Sequence, residues 1–285
     1  MEKYEMQELV GYGGCGKVYR AWDKEKKQMV AIKIAHLTVD DGIPETALRE
    51  ISLLQSLSDS IYVVRLLNVD YSEANGKRHL CLVLENMDID LKKYIDSRTR
   101  MSNVPIIPPS DVKTSVSNRD LKPENILMDI SRGILKLADF GLGRTITTPE
   151  DYSPEVVTLW YRAPEVLLDL PYSTGVDVWS LGCIFGELLI GRALFNGSSN
   201  MDQLLCIFSV LGEPSEDEWP QVKSVQNLCQ LKEQKPVQLG SIFPNLDLDG
   251  IDLLSKMLQY NPTNRISAAM ALEHPYFDNL DKSEY

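Results

Sequence analysis

The run Asn118-Arg119-Asp120-Leu121-Lys122-Pro123-Glu124-Asn125, followed by Asp139-Phe140-Gly141, constrains this chain more than any other feature of it. Packing a core needs no such series of carboxylate, ammonium, amide and second carboxylate, but phosphoryl transfer does. Asp120 is placed to accept or orient the proton of an attacking hydroxyl, and Lys122 to neutralise the phosphoryl group in transit. Asn125 and Asp139 are the residue types that hold Mg²⁺. A D-F-G turn alone arises by chance; one that follows R-D-L-K-P-E-N is a specific signal.

The segment Gly11-Tyr12-Gly13-Gly14-Cys15-Gly16-Lys17-Val18 is a G-x-G-x-x-G-x-V run, in which glycine lets backbone amides approach polyphosphate. In a dinucleotide-binding fold the third glycine opens a helix. Here Val18, Tyr19, Arg20, Ala21 and Trp22 follow in strand-like order, which fits a β-hairpin over ATP better. Val30-Ala31-Ile32-Lys33 is an apolar strand ending on a cation suited to the α- and β-phosphates, and Glu50 sits in a helix-like stretch where it could orient Lys33. A surface lysine and a solvated glutamate are the plain readings of these two, and both lose weight because loop, lysine and glutamate occur in this order. Arg162-Ala163-Pro164-Glu165 closes the activation segment, and Asp177-Val178-Trp179-Ser180-Leu181-Gly182 follows as a helix start.

Short β-rich runs at 17–22, 29–34 and 80–84 surround one helical stretch, 45–57, whereas helical patterns dominate later, at 176–189, 201–211, 249–258 and 268–272. The expectation is an α+β chain of two lobes: residues 1–87 form a small β-rich lobe with one key helix and the hinge, and 88–285 a larger, mainly helical lobe. Residues 97–117, with Pro105, Pro108 and Pro109, read as loop. Lys plus Arg is 29 against 41 Asp plus Glu, so the net charge is −12, which argues against a nucleic-acid surface. Five scattered cysteines point to a reducing compartment without structural zinc, and neither a signal peptide nor a membrane span is expected.

On these motifs the chain resembles eukaryotic protein kinases, and Pro44-Glu45-Thr46-Ala47-Leu48-Arg49-Glu50 resembles the cyclin-binding helix of cyclin-dependent kinases. The likeness runs on through Glu155 to Arg162, Trp179 to Phe185, Arg192 to Phe195, Leu211 to Pro214 and Arg265 to Ser267, while Glu85-Asn86-Met87-Asp88 is similar to the plant-type mitotic class. The resemblance implies a Ser/Thr kinase of the cell cycle, in nucleus and cytoplasm, using ATP and Mg²⁺ on Ser/Thr-Pro sites of protein substrates. It implies a cyclin that presses the 44–50 helix inward so that Glu50 reaches Lys33, and leaves room for a small cell-cycle adaptor subunit. Adenine would be held by Val10, Val18, Ala31, Leu127 and the hinge backbone at Glu85 and Met87, with Leu84 as gatekeeper. Gly11, Gly13, Gly16 and Asp90 complete the nucleotide contacts. Ser153 would be the activating phosphosite facing Arg49, Arg119 and Arg144, and Val157 and Arg162 match positions that favour proline after the phosphoacceptor.

Three departures from the family stand out. Gly14 and Cys15 replace the Thr and Tyr whose phosphorylation is inhibitory, so that switch is expected to be missing. Ser153-Pro154 stands where Thr and His are usual. Between Thr114 and Arg119 the family has a long core helix and a strand, and roughly 17 residues are expected to be missing, about 25 Å of helix; Asn118 also replaces the motif histidine. The alternative reading is a catalytically impaired, cyclin-binding variant or pseudokinase, spliced or truncated.

Overall fold

The computed structural model describes residues 2–13, 16–36, 43–74, 77–97, 116–117, 120–140, 144–145, 159–220 and 237–278. They form two compact units: the described residues of Met1–Tyr94, Val116–Asn118 and Pro123–Thr145, and those of Ile95–Ser115, Arg119–Lys122 and Ile146–Tyr285.

The first unit is built on five antiparallel strands, β1 (Tyr4–Gly13), β2 (Gly16–Asp23), β3 (Gln28–His36), β4 (Leu66–Ala74) and β5 (Lys77–Glu85), in the order β1-β2-β3-β5-β4. Side chains alternate between the two faces of a strand. Tyr4, Ala21, Val30, Ile32, Cys81 and Val83 accordingly pack as one apolar cluster. The register pairs Val18 with Lys33, Arg20 with Ala31, and Ala31 with Leu84, which puts Val18, Arg20, Ala31, Lys33 and Leu84 together on the other face. The β-rich runs read from the sequence lie within β2, β3 and β5. The edge strands β1 and β4 did not stand out because exposed Glu5, Gln7 and Glu8, and in β4 exposed Asn68, break the apolar pattern; an edge tolerates such residues.

Helix α1 (Glu45–Ser56) begins just after Pro44 and buries Ala47, Glu50, Leu53 and Leu54, a stripe at helical spacing. A second sheet joins β6 (Ile89–Asp90), β8 (Ile126–Asp129) and β9 (Ile134–Leu137) in the order β6-β8-β9. The Leu137 N–H donates to the Tyr62 carbonyl at 2.7 Å and the Val64 N–H to the Leu137 carbonyl at 2.9 Å, which fixes the end of β9 beside the chain entering β4. The two-residue strands β7 (Val116–Ser117) and β10 (Arg144–Thr145) pair antiparallel.

Helix α2 (Leu91–Ser97) carries the chain from the first unit to the second, whose helices are α3 (Pro164–Leu167), α4 (Gly175–Ile190), α5 (Asn200–Leu211), α6 (Leu239–Ile242), α7 (Leu248–Met257) and α8 (Ala268–Leu272). The four helical stretches expected from periodicity correspond to α4, α5, α7 and α8. Helix α4 is the core: Val178 through Glu187 are all buried, and a Cβ on Gly182 would lie 2.9 Å from Leu258, so glycine lets the following segment close on it. Ser199, Asp247 and Ser267 cap α5, α7 and α8, each side chain accepting from a backbone N–H of the first turn.

Candidate active site

Lys33 on β3 and Glu50 on α1 meet inside the first unit. The Lys33 ammonium donates to both Glu50 carboxylate oxygens, at 2.7 and 2.8 Å, and to Asp139 Oδ1 at 3.0 Å. Lys33 is 7% and Glu50 3% exposed. Burial works to lower the ammonium, but the charges of Glu50 and Asp139 outweigh it and hold Lys33 above its ordinary value. Burial pushes the Glu50 carboxyl up against the pull of Lys33. One cation thus stands between two carboxylates, and the Asp139 side chain is 34% exposed.

Asp139 follows β9 with φ 59, a left-handed conformation costly for a residue other than glycine. The surroundings over-determine it: the Ala138 N–H donates to the Asn125 carbonyl at 2.9 Å, and Phe140 on the other side is 1% exposed. Asn125 closes the 3₁₀ turn Pro123–Asn125 and is itself buried. A partly exposed carboxylate and an amide-bearing residue whose backbone bonds the residue before Asp139 fit Mg²⁺, which prefers one or two protein ligands and completes its shell with phosphate oxygens and water.

The other expected nucleotide residues of the first unit are arranged as follows. Gly11 and Gly13 lie on β1, and Gly16 opens β2 at φ 131, where a Cβ would stand 2.2 Å from the Ile34 carbonyl oxygen; only glycine fits there. Val10 and Met87 are half-buried, and Asp90 on β6 pairs in register with Leu127 on β8. The Glu85 carboxylate accepts from Lys136 Nζ and the Arg65 N–H, both at 2.7 Å. In the second unit Lys122 Nζ donates to Asp120 Oδ2 at 2.6 Å, and Asp120 is 9% exposed. Burial lowers the Arg162 guanidinium from its ordinary value, the Asp120 charge opposing the shift.

Of the expected phosphate clamp, Ser153 and Arg119 lie outside the described residues, as does the side chain of Arg144; Arg49 pairs with Glu45 one turn away on α1. Gly14, Cys15, Asn118, Pro154 and Val157 also lie outside them, as does the expected deletion apart from strand β7. Sequence reasoning assigned no role to Arg20, Lys93 or Lys136. Arg20 could have been found from alternation alone, since it falls two residues after Val18 on the same face.

A small sheet carrying one helix, a lysine bridged to two carboxylates and a mainly helical second unit together define a protein kinase. Comparison with known families gives the same answer: the family described as Protein kinase domain matches residues 4–107 and 112–277. The chain is 48% identical to Cell division control protein 2 homolog C of Antirrhinum majus over 305 aligned residues, covering all of both chains. It is 48% identical to Cyclin-dependent kinase B1-1 of Arabidopsis thaliana over 309, again covering all of both. To Cyclin-dependent kinase B2-1 of Oryza sativa subsp. japonica it is 46% identical, covering all of this chain and 93% of that one. The chain belongs to the protein kinase family and, within it, to the cyclin-dependent kinases of plant mitotic type. Both alignments of 305 and 309 positions exceed its 285 residues, so those two relatives carry residues that this chain lacks.

Proposed function

We propose that this Ser/Thr kinase is catalytically competent, transferring the γ-phosphate of ATP to Ser or Thr followed by Pro under the control of a cyclin docked on Pro44–Glu50. The observation that carries the reading is the Lys33 ammonium held within 3.0 Å of both Glu50 and Asp139. Lys33 in that position is aimed by Glu50 and would engage the α- and β-phosphates in exchange for its bond to Asp139, with adenine against Val10, Val18, Ala31, Leu84 and Leu127 and the backbone at Glu85 and Met87. Asp139 and Asn125 would hold Mg²⁺, which when bound supplies charge neutralisation to the phosphates. Asp120 orients the substrate hydroxyl and takes its proton, while Lys122, at 2.6 Å from that carboxylate, offsets charge on the phosphoryl oxygens.

Leu48, half exposed on α1 while its neighbour Ala47 is buried, supports docking of a partner on that helix. Phosphorylation of Ser153 answered by Arg49, Arg119 and Arg144, a small adaptor subunit, and residence in nucleus and cytoplasm belong to the same reading. No helix among the described residues is long and apolar enough to cross a membrane. The test is phosphate transfer from ATP·Mg²⁺ to a Ser-Pro peptide with and without a mitotic cyclin. Stimulation by cyclin, lost in Leu48→Asp, is expected. A folded, cyclin-bound chain that transfers nothing would sink the reading.

A further inference from the structure

Arg20 projects from β2 on the face that also carries Val18, Ala31, Lys33 and Leu84. Its Nε donates to Asn86 Oδ1 at 3.1 Å, its Nη2 to the Asp88 carbonyl at 3.3 Å, and its Nη1 to Glu8 Oε1 at 2.7 Å. One planar guanidinium therefore joins β1, β2 and the segment that follows β5. Lys93 on α2 makes a second tie to β1, donating to the Val10 carbonyl at 2.8 Å and pairing with Asp90 Oδ2 at 2.9 Å. Arginine suits the first role because its donors lie in a rigid fork that meets several acceptors at once; a lysine in its place meets fewer.

We infer that Arg20 is a positioning residue for the nucleotide: by fixing residues 86–88 to the β1–β2 hairpin it sets the width of the slot between hinge backbone and glycine loop. The inference rests on the reading that ATP binds this face. Arg20 is bound to Glu8, Asn86 and Asp88 and is not among the residues proposed to meet phosphate or the reacting hydroxyl, so its loss acts on nucleotide affinity and leaves the chemical step alone.

The test uses the full chain with its cyclin and reads binding of a fluorescent ADP analogue beside steady-state kinetics. Arg20→Ala is expected to weaken the analogue and raise KM for ATP about fivefold, the worth of roughly one hydrogen bond, with kcat and peptide KM unchanged. Arg20→Lys should fall between. Asn86→Ala should add less in the Arg20→Ala background than alone, because the two residues act through one contact. Unchanged nucleotide affinity in Arg20→Ala, while Lys33→Met loses it, overturns the inference and leaves the ATP reading standing. If neither variant weakens binding, both fall. A parallel loss of kcat, peptide KM and thermal stability would mean that Arg20 only supports the fold, which also overturns it.

Discussion

Among the described residues each unit holds a buried ion pair, and the two pairs are built differently. In the second unit Arg265 meets Glu165 through two bonds, at 2.8 and 3.0 Å, with side chains 0% and 2% exposed. Its remaining donors reach the Gly175 and Gln259 carbonyls, and the guanidinium lies 5.3 Å from the centre of the Trp179 ring. Charge is balanced and the cation's donors are well supplied, which is what a buried pair needs to repay its desolvation. In the first unit Lys33 is shared by two carboxylates, Glu50 and Asp139, and the second of them is partly open to solvent. The Arg265–Glu165 pair is enclosed on both sides, whereas the Lys33 cluster keeps one carboxylate partly exposed.

Breaking the closed pair should have the largest effect on stability. Arg265→Ala strands Glu165 in the interior and is expected to destabilise the chain by about 3–5 kcal/mol, read as an early transition in urea or on heating. Next comes Lys33→Met, expected to lower the transfer rate by a factor on the order of 10² to 10³. It also leaves burial, which already raises Glu50 above its ordinary value of 4.5, without an opposing cation. A carboxyl raised in the folded state contributes stability that is fully present below its unfolded value and is lost as pH rises through the folded value. Lys33→Met should therefore lose ground against the parent chain as pH climbs above about 4.5, read from melts at a series of pH values.

Gly16→Ala sharpens the contrast from the backbone side. A Cβ forced against the Ile34 carbonyl at φ 131 should destabilise the first sheet by about 1–3 kcal/mol, seen as faster amide exchange in β2 and β3. The smallest effect belongs to Ser199→Ala, which removes the N-cap of α5. It should lower thermal stability by about 1 kcal/mol with no change in transfer rate.

The chemistry of both pairs was unevenly legible in the sequence. Lys33, Glu50 and Asp139 announced themselves because phosphate chemistry demands fixed residue types in a fixed order, and short motifs survive where periodicity does not. Arg265 was visible only as part of a family likeness, because its partner lies a hundred positions away and no local pattern encodes that distance. The central strands and the long helices followed from alternation and helical spacing. The edge strands β1 and β4 did not, because half of what they need is supplied by neighbours across the sheet. Arg20 belongs to the same class: its strand was read, but its acceptors Asn86 and Asp88 come together with it only in the fold.

The most direct test compares Asp139→Asn with the parent chain, each bound to cyclin, for both thermal melting and phosphate transfer to a Ser-Pro peptide. A shared, working Lys33 cluster requires that melting stay within about 1 kcal/mol while transfer falls by a factor on the order of 10² to 10³. Transfer that survives the substitution, or a melting loss as large as that of Arg265→Ala, would contradict the account.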